Sequence, residues 1–146
     1  MEPSTNPRTS LPTAVRLTQI LWLTMLASIV ILAAVTEIST RTIQPMPKRV
    51  FAVIAGLCVA IVIVKSVVRR VYVAQGAYLL AKDRTDLQAL KRWRTGHIYC
   101  FALSEAVAMF GLVLQGGFTL REVAPFYVAG FILMLFSRPI TPPENG

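Results

Sequence analysis

The sequence predicts an all-α integral membrane protein: a four-helix bundle with both termini on the cytoplasmic side (N-in/C-in) and a cytoplasmic helical extension between spans two and three. Three observations predict it. Hydrophobic residues make up 55% of the 146-residue chain, and its mean hydropathy is +0.60, where soluble domains run at roughly 45–50% apolar. The apolar residues gather in four runs, each near the ~20 residues a helix needs to cross a hydrocarbon core about 30 Å thick. The 15 Lys and Arg, against 7 Asp and Glu, fall mostly in the gaps between those runs. A net charge of +8 concentrated beside a soluble fold would suggest nucleic acid. Spread between apolar runs, it points instead to membrane topology and anionic-lipid contacts, with no nucleic-acid partner.

Residues 1–16, MEPSTNPRTSLPTAVR, are rich in proline and small polar residues and read as a flexible cytoplasmic tail. The first span is placed at about 17–36. Leu17–Val35 carries no charge over nineteen residues, longer than the roughly 7–15 of a secretory signal, so a retained helix is favoured; Ala33–Ala34 is the only weak cleavage candidate. Gln44-Pro45-Met46-Pro47 then breaks the helix, because proline lacks the amide donor and restricts its predecessor.

The second span covers 50–68. Its charge-free part, Val50–Val64, is short for a crossing unless Lys65 snorkels to the surface and Val67–Val68 count as apolar. A Val/Ile-rich run also suits a buried strand, but an open strand cannot satisfy its backbone in lipid, so a helix is expected. Residues 69–97 form the cytoplasmic basic hairpin. The second helix continues through Val71–Ala81, and Lys82–Thr85 turns. Thr85 with Gln88 fits a capping box for a short helix, Asp86–Arg94, leading through Thr95-Gly96 into the third span.

The third span, 98–115, ends at Gly116-Gly117. Thr119 and Glu122 form a second capping box before the fourth span, 120–137, with a kink or a later start expected at Pro125. Pro139, Pro142 and Pro143 open a disordered tail over 139–146.

Charge sets the orientation. The termini and central loop hold eleven basic residues with Lys65 included, and the other two loops hold four: Arg41, Lys48, Arg49 and Arg121. Excess Lys and Arg marks the cytoplasmic side, so the protein is expected in a plasma or inner membrane with its third helix running outward. Lys91, Arg92 and Arg94 read either as a solvated or headgroup-facing cluster or as a site for anionic lipid or an acidic partner.

Cys58 and Cys100 lie in different apolar runs and read as buried thiols rather than a bridge. One His, His97, and scattered acids offer no metal cluster, and no motif implies a cofactor.

The third run, IYCFALSEAVAMFGLVLQ, contains one formal charge, Glu105. An ionisable group at that depth is the candidate functional site. Hydrocarbon disfavours its charged form, so the expectation is a carboxyl protonated much of the time. Beside it Ser104, Ala108, Gly111 and Gln115 form a small-and-polar stripe of the kind that packs helices. Three roles stay open for Glu105: a hydrogen bond to another helix through Thr24, Ser28 or Tyr127, proton or cation handling, or an inter-subunit contact. His97, about 12 Å of helix rise away, is too distant to serve it as a catalytic base, so an enzyme is not expected.

Residues 102–114, ALSEAVAMFGLVL, resemble the carboxylate helix of the proteolipid subunits that form the rotor ring of rotary ATP synthases. In that family a Glu among small residues, followed by Ala and a Gly-Leu-Val run, takes up and releases the transported ion. The resemblance implies that role for Glu105 alone. Two readings follow: a non-enzymatic structural or accessory subunit with Glu105 as intramembrane polar anchor, or proton or cation handling through Glu105 within a homo-oligomer or larger membrane complex.

Overall fold

A computed structural model of the chain describes residues 11–38 and 46–139. The tail expected over 1–10, most of the first loop, and the segment beyond Pro139 lie outside the described residues. The elements in order are α1 (Leu11–Ile38), α2 (Lys48–Val68), a π-helical stretch (Arg69–Ala74), α3 (Gln75–Lys82), α4 (Leu87–Leu114) and α5 (Leu120–Leu135), with no strand among the described residues.

Helix α1 starts at Leu11, which corrects the flexible-tail reading of residues 11–16. Leu11, Ala14, Val15 and Thr18 recur at helical spacing, and Pro12 falls in the first turn, where a missing amide costs little. Ala14 and Val15 are buried, joining Leu80, Ala89, Leu90 and Trp93 in an apolar cluster. That burial offsets the ordering of two extra turns.

Helix α2, the π-helical stretch and α3 form one helical rod over Lys48–Lys82. The rod packs tightly against α4 at two glycines. A Cβ on Gly96 would lie 2.7 Å from the Tyr72 Cβ and 2.9 Å from the Val73 Cγ2, and one on Gly76 would lie 2.9 Å from the Trp93 Cα.

The separate helix expected over Asp86–Arg94 does not exist, because α4 runs unbroken through Thr95-Gly96 to Leu114. Its cap is also different. Asp86 Oδ1 accepts the amides of Gln88 and Ala89 at 2.8 and 3.1 Å, while Thr85 turns its amide and hydroxyl to Asp83. Asp competes well for this position because its carboxylate both accepts and faces the positive end of the helix. Helix α5 begins at Leu120, and the Thr119 amide donates to Glu122 Oε2 at 2.9 Å. Pro125 therefore sits inside the helix rather than delaying it.

Helix α4 is the axis of the fold. Its C-terminal half carries Phe101, Ala108 and Leu114 into a cluster with Ile29 of α1 and Val123, Phe126, Tyr127 and Met134 of α5. The N-terminal half carries Ala89, Leu90 and Trp93 into the second cluster. Three stretches, Leu11–Val35, Lys48–Lys82 and Leu87–Leu114, are long and apolar enough to cross a membrane; α5, at 16 residues, is shorter. In the second stretch only 6% of the most apolar window is buried within the fold. Val53, Leu57, Val59, Ile63 and Val67 are all exposed, leaving a long apolar face without a partner among the described residues.

Candidate functional site

The end of a helix leaves its last carbonyls without amide partners. Near the C-terminus of α5 the Leu133 and Met134 carbonyls receive side-chain donors from three directions, the Met134 oxygen also accepting the Ser137 amide at 3.0 Å. Lys65 Nζ, reaching across from α2, donates to the Leu133 carbonyl, and the Ser137 hydroxyl donates to the same oxygen at 2.8 Å. The Trp22 indole of α1 donates to the Met134 carbonyl at 2.9 Å. A cation at a helix C-terminus also opposes the negative end of the dipole.

Lys65 is thus a buried clamp, 5% exposed, and the snorkelling reading is overturned. It lies on the inward stripe of α2, where Phe51, Ile54, Cys58 and Ile61 are half-buried. Its second partner is the Ser104 hydroxyl of α4 at 2.7 Å. The Ser104 hydroxyl in turn donates to the Cys100 carbonyl at 2.7 Å. One ammonium group therefore joins α2, α4 and α5.

Glu105 lies one position on, about 100° round α4, and turns to α1, where the Ser28 hydroxyl donates to Oε1 at 2.5 Å. Glu105 as a whole is half-buried. Adjacent residues of α4 thus point to two different polar junctions, and no ion pair joins Lys65 to Glu105 among the described residues. Of the other partners weighed for Glu105, Thr24 is exposed and donates to its own helix at Ile20. Tyr127 packs over Gly111, where an added Cβ would lie 3.0 Å from its ring.

Ser104, Ala108, Gly111 and Gln115 all lie on the buried side of α4. Gly130 of α5 closes onto this stripe: a Cβ there would lie 2.9 Å from the Ala108 Cβ and 3.0 Å from the Ser104 carbonyl. His97 is buried between Trp93 and Phe101, with ring centroids 4.6 and 5.8 Å away. Neither ring nitrogen meets hydrogen-bond geometry with a partner among the described residues, although the Ser137 backbone lies alongside. Cys58 and Cys100 are both free thiols. Lys91, Arg92 and Arg94 are exposed, but only Lys91 and Arg92 border the groove between α4 and the preceding rod, where the Arg92 Cζ lies 5.9 Å from the Tyr72 ring centroid.

A serine within hydrogen-bond reach of a lysine is a constellation used for nucleophilic catalysis. Here the Ser104 proton is directed to a carbonyl, which can only accept, so the hydroxyl faces Lys65 as an acceptor. Ser104 is also fully enclosed. The arrangement is suited to holding helices.

Lys65 and Trp22 were not among the site residues expected from the sequence. One signal was present: Lys65 continues the spacing 51, 54, 58, 61 along α2, but with every face of that run apolar nothing marked this one as inward. Comparisons with protein-family models, curated proteins and solved structures find no match for the chain.

Proposed function

We propose that this chain is a small multi-pass membrane protein acting as a structural or accessory subunit, with Glu105 as an intramembrane polar anchor. The observation that carries the proposal is the Ser28–Glu105 hydrogen bond between α1 and α4 at 2.5 Å. Lipid offers no hydrophobic drive between helices, so packing and interhelical hydrogen bonds set which helices associate. Glu105 answers to α1 and Lys65 to α5, which makes α4 the helix through which the bundle is held.

In this reading α5 is a fourth span, shorter than the rest, and both termini face the cytoplasm. Moving Lys65 from the loops to the interior leaves ten basic residues on the proposed cytoplasmic side against four, so the positive-inside argument survives. Labelling of single cysteines introduced near Arg84 checks it; reaction with a reagent confined to the outside reverses the orientation.

Carbodiimide labelling of the purified chain tests the anchor. A carboxyl held by Ser28 between helices is protected in wild type and becomes reactive in Ser28→Ala. The alternative, proton or cation handling within an oligomer, draws on the half-burial of Glu105, which leaves part of the residue exposed on the single chain. Labelling of wild type that is blocked by Na⁺ would replace the anchor reading with that one.

A further inference from the structure

We infer that the groove between α4 and the preceding rod binds the phosphate of an anionic phospholipid whose acyl chains lie along the exposed face of α4. The groove has a volume of about 550 Å³, and its walls carry Tyr72, Gln88, Lys91, Arg92 and Thr95. Gln88, Lys91, Arg92 and Thr95 follow i, i+3, i+4, i+7 spacing and so present two cations, an amide and a hydroxyl along one face of α4. The lining acid, Asp86, keeps its charge but caps the helix, its Oδ1 accepting the amides of Gln88 and Ala89, so two basic side chains face one carboxylate and the lining stays net positive. Arg92 lies over the Tyr72 ring, an arrangement that limits the guanidinium's freedom before any ligand arrives.

Depth argues for a lipid rather than a soluble anion. Tyr72 packs edge-on to Tyr99, centroids 6.3 Å apart, and both are exposed. Exposed tyrosines at the end of an apolar run mark the interface between membrane and water. Arg92 stands seven residues before Tyr99 on α4, about 10 Å of rise towards the water, at the level where phosphates lie. Past Tyr99 the same helix exposes Met109 and Val113, an apolar track for the chains. Arg94, on another face, does not border the groove.

The inference rests on the membrane reading, and the two are tested apart. If alkaline carbonate releases the chain from membranes, the membrane reading itself falls. With the chain retained, native mass spectrometry of the full protein in mild detergent with equal phosphatidylglycerol and phosphatidylcholine reads the site. At roughly fivefold per basic residue near the surface, wild type should retain phosphatidylglycerol about 25-fold over phosphatidylcholine. Lys91→Ala with Arg92→Ala should bring the ratio near one, while Lys82→Ala with Arg94→Ala, an equal loss of charge outside the groove, should leave it. Equal retention of the two lipids by wild type overturns the inference without need of any variant. So does an equal effect of the two charge-removing pairs, which would make the preference diffuse. Displacement by millimolar inorganic phosphate would make it a free-phosphate site and overturn it as well.

Discussion

Replacing Ser104 should destabilise the fold more than replacing Lys65, although Lys65 is the charged member of the pair. In Lys65→Met the stem is kept and two hydrogen bonds are lost, to Ser104 and to the Leu133 carbonyl. The Leu133 carbonyl keeps the Ser137 hydroxyl as a donor, and the Ser104 hydroxyl, though it loses its donor, stays bonded through its own proton to the Cys100 carbonyl. At about 0.6 kcal/mol per interhelical bond in a membrane, with a ceiling near 1.7, the loss is roughly 1–2 kcal/mol, reduced by relief from holding an ammonium out of water. Ser104→Ala instead leaves that ammonium buried with one partner fewer, and hydrogen bonds to charged groups are worth about 1.5–3 kcal/mol. The double variant removes both the charge and its need for a partner, so its cost should fall below the sum of the two singles by about 1 kcal/mol or more. Equilibrium unfolding in mixed micelles, followed by far-ultraviolet circular dichroism, measures all four corners of the cycle. Additive costs, or a neutral Ser104→Ala, would refute the clamp.

Gly96→Val should cost about 1–3 kcal/mol in the same unfolding assay, because its Cβ meets Tyr72 and Val73 at 2.7 and 2.9 Å. Gly56→Ala should be neutral or stabilising by up to about 1 kcal/mol, since nothing lies within 4 Å of its added Cβ. Asp83 accepts the Thr85 hydroxyl and amide, which hold its carboxyl below the usual range. Its contribution to stability is therefore present above the unfolded-state pKa and lost as pH falls through the lower folded one; Asp83→Asn should lower stability slightly at neutral pH and converge on wild type in acid, flattening that limb of the stability–pH curve.

What the sequence made legible was set by where polarity contrasts with its surroundings. The helical character of the long apolar runs and the start of α5 at Thr119–Glu122 could be read because each has a local signature, a run length or a cap. Thr85 also had such a signature and lost it to Asp86, since two adjacent residues offered acceptors and the backbone turn chose between them. The onset of α1 was present as a spacing of 11, 14, 15 and 18, but it was masked by proline and polar neighbours whose cost the packing against Trp93 offsets. The role of Lys65 had no local signature at all. Its partners lie 39 and 68 residues away in sequence, and a lysine followed closely by Arg69 and Arg70 looks like the beginning of the polar surface.

The placement of Lys65 also changes what Glu105 can be taken to mean. A single acid in an apolar helix invites an ion-binding role partly because the apolar runs offer no obvious second charge to answer it. The interior now holds a second ionisable group, yet Ser104 and Glu105 diverge about 100° round α4, and Lys65 serves α5 while Glu105 serves α1. A proton relay would need the two groups to share a path. Two separate junctions on adjacent residues of one helix fit a different demand: the Leu133 carbonyl near the end of the short α5 takes a donor from α2, while Ser28 and Trp22 tie α1 to α4 and α5. Each polar residue of the pair settles the position of one neighbour. Under the proposed anchor reading, the polar groups of α4 would specify which helix lies on which side, a task that apolar packing between similar Leu-, Val- and Ile-rich surfaces performs poorly in lipid.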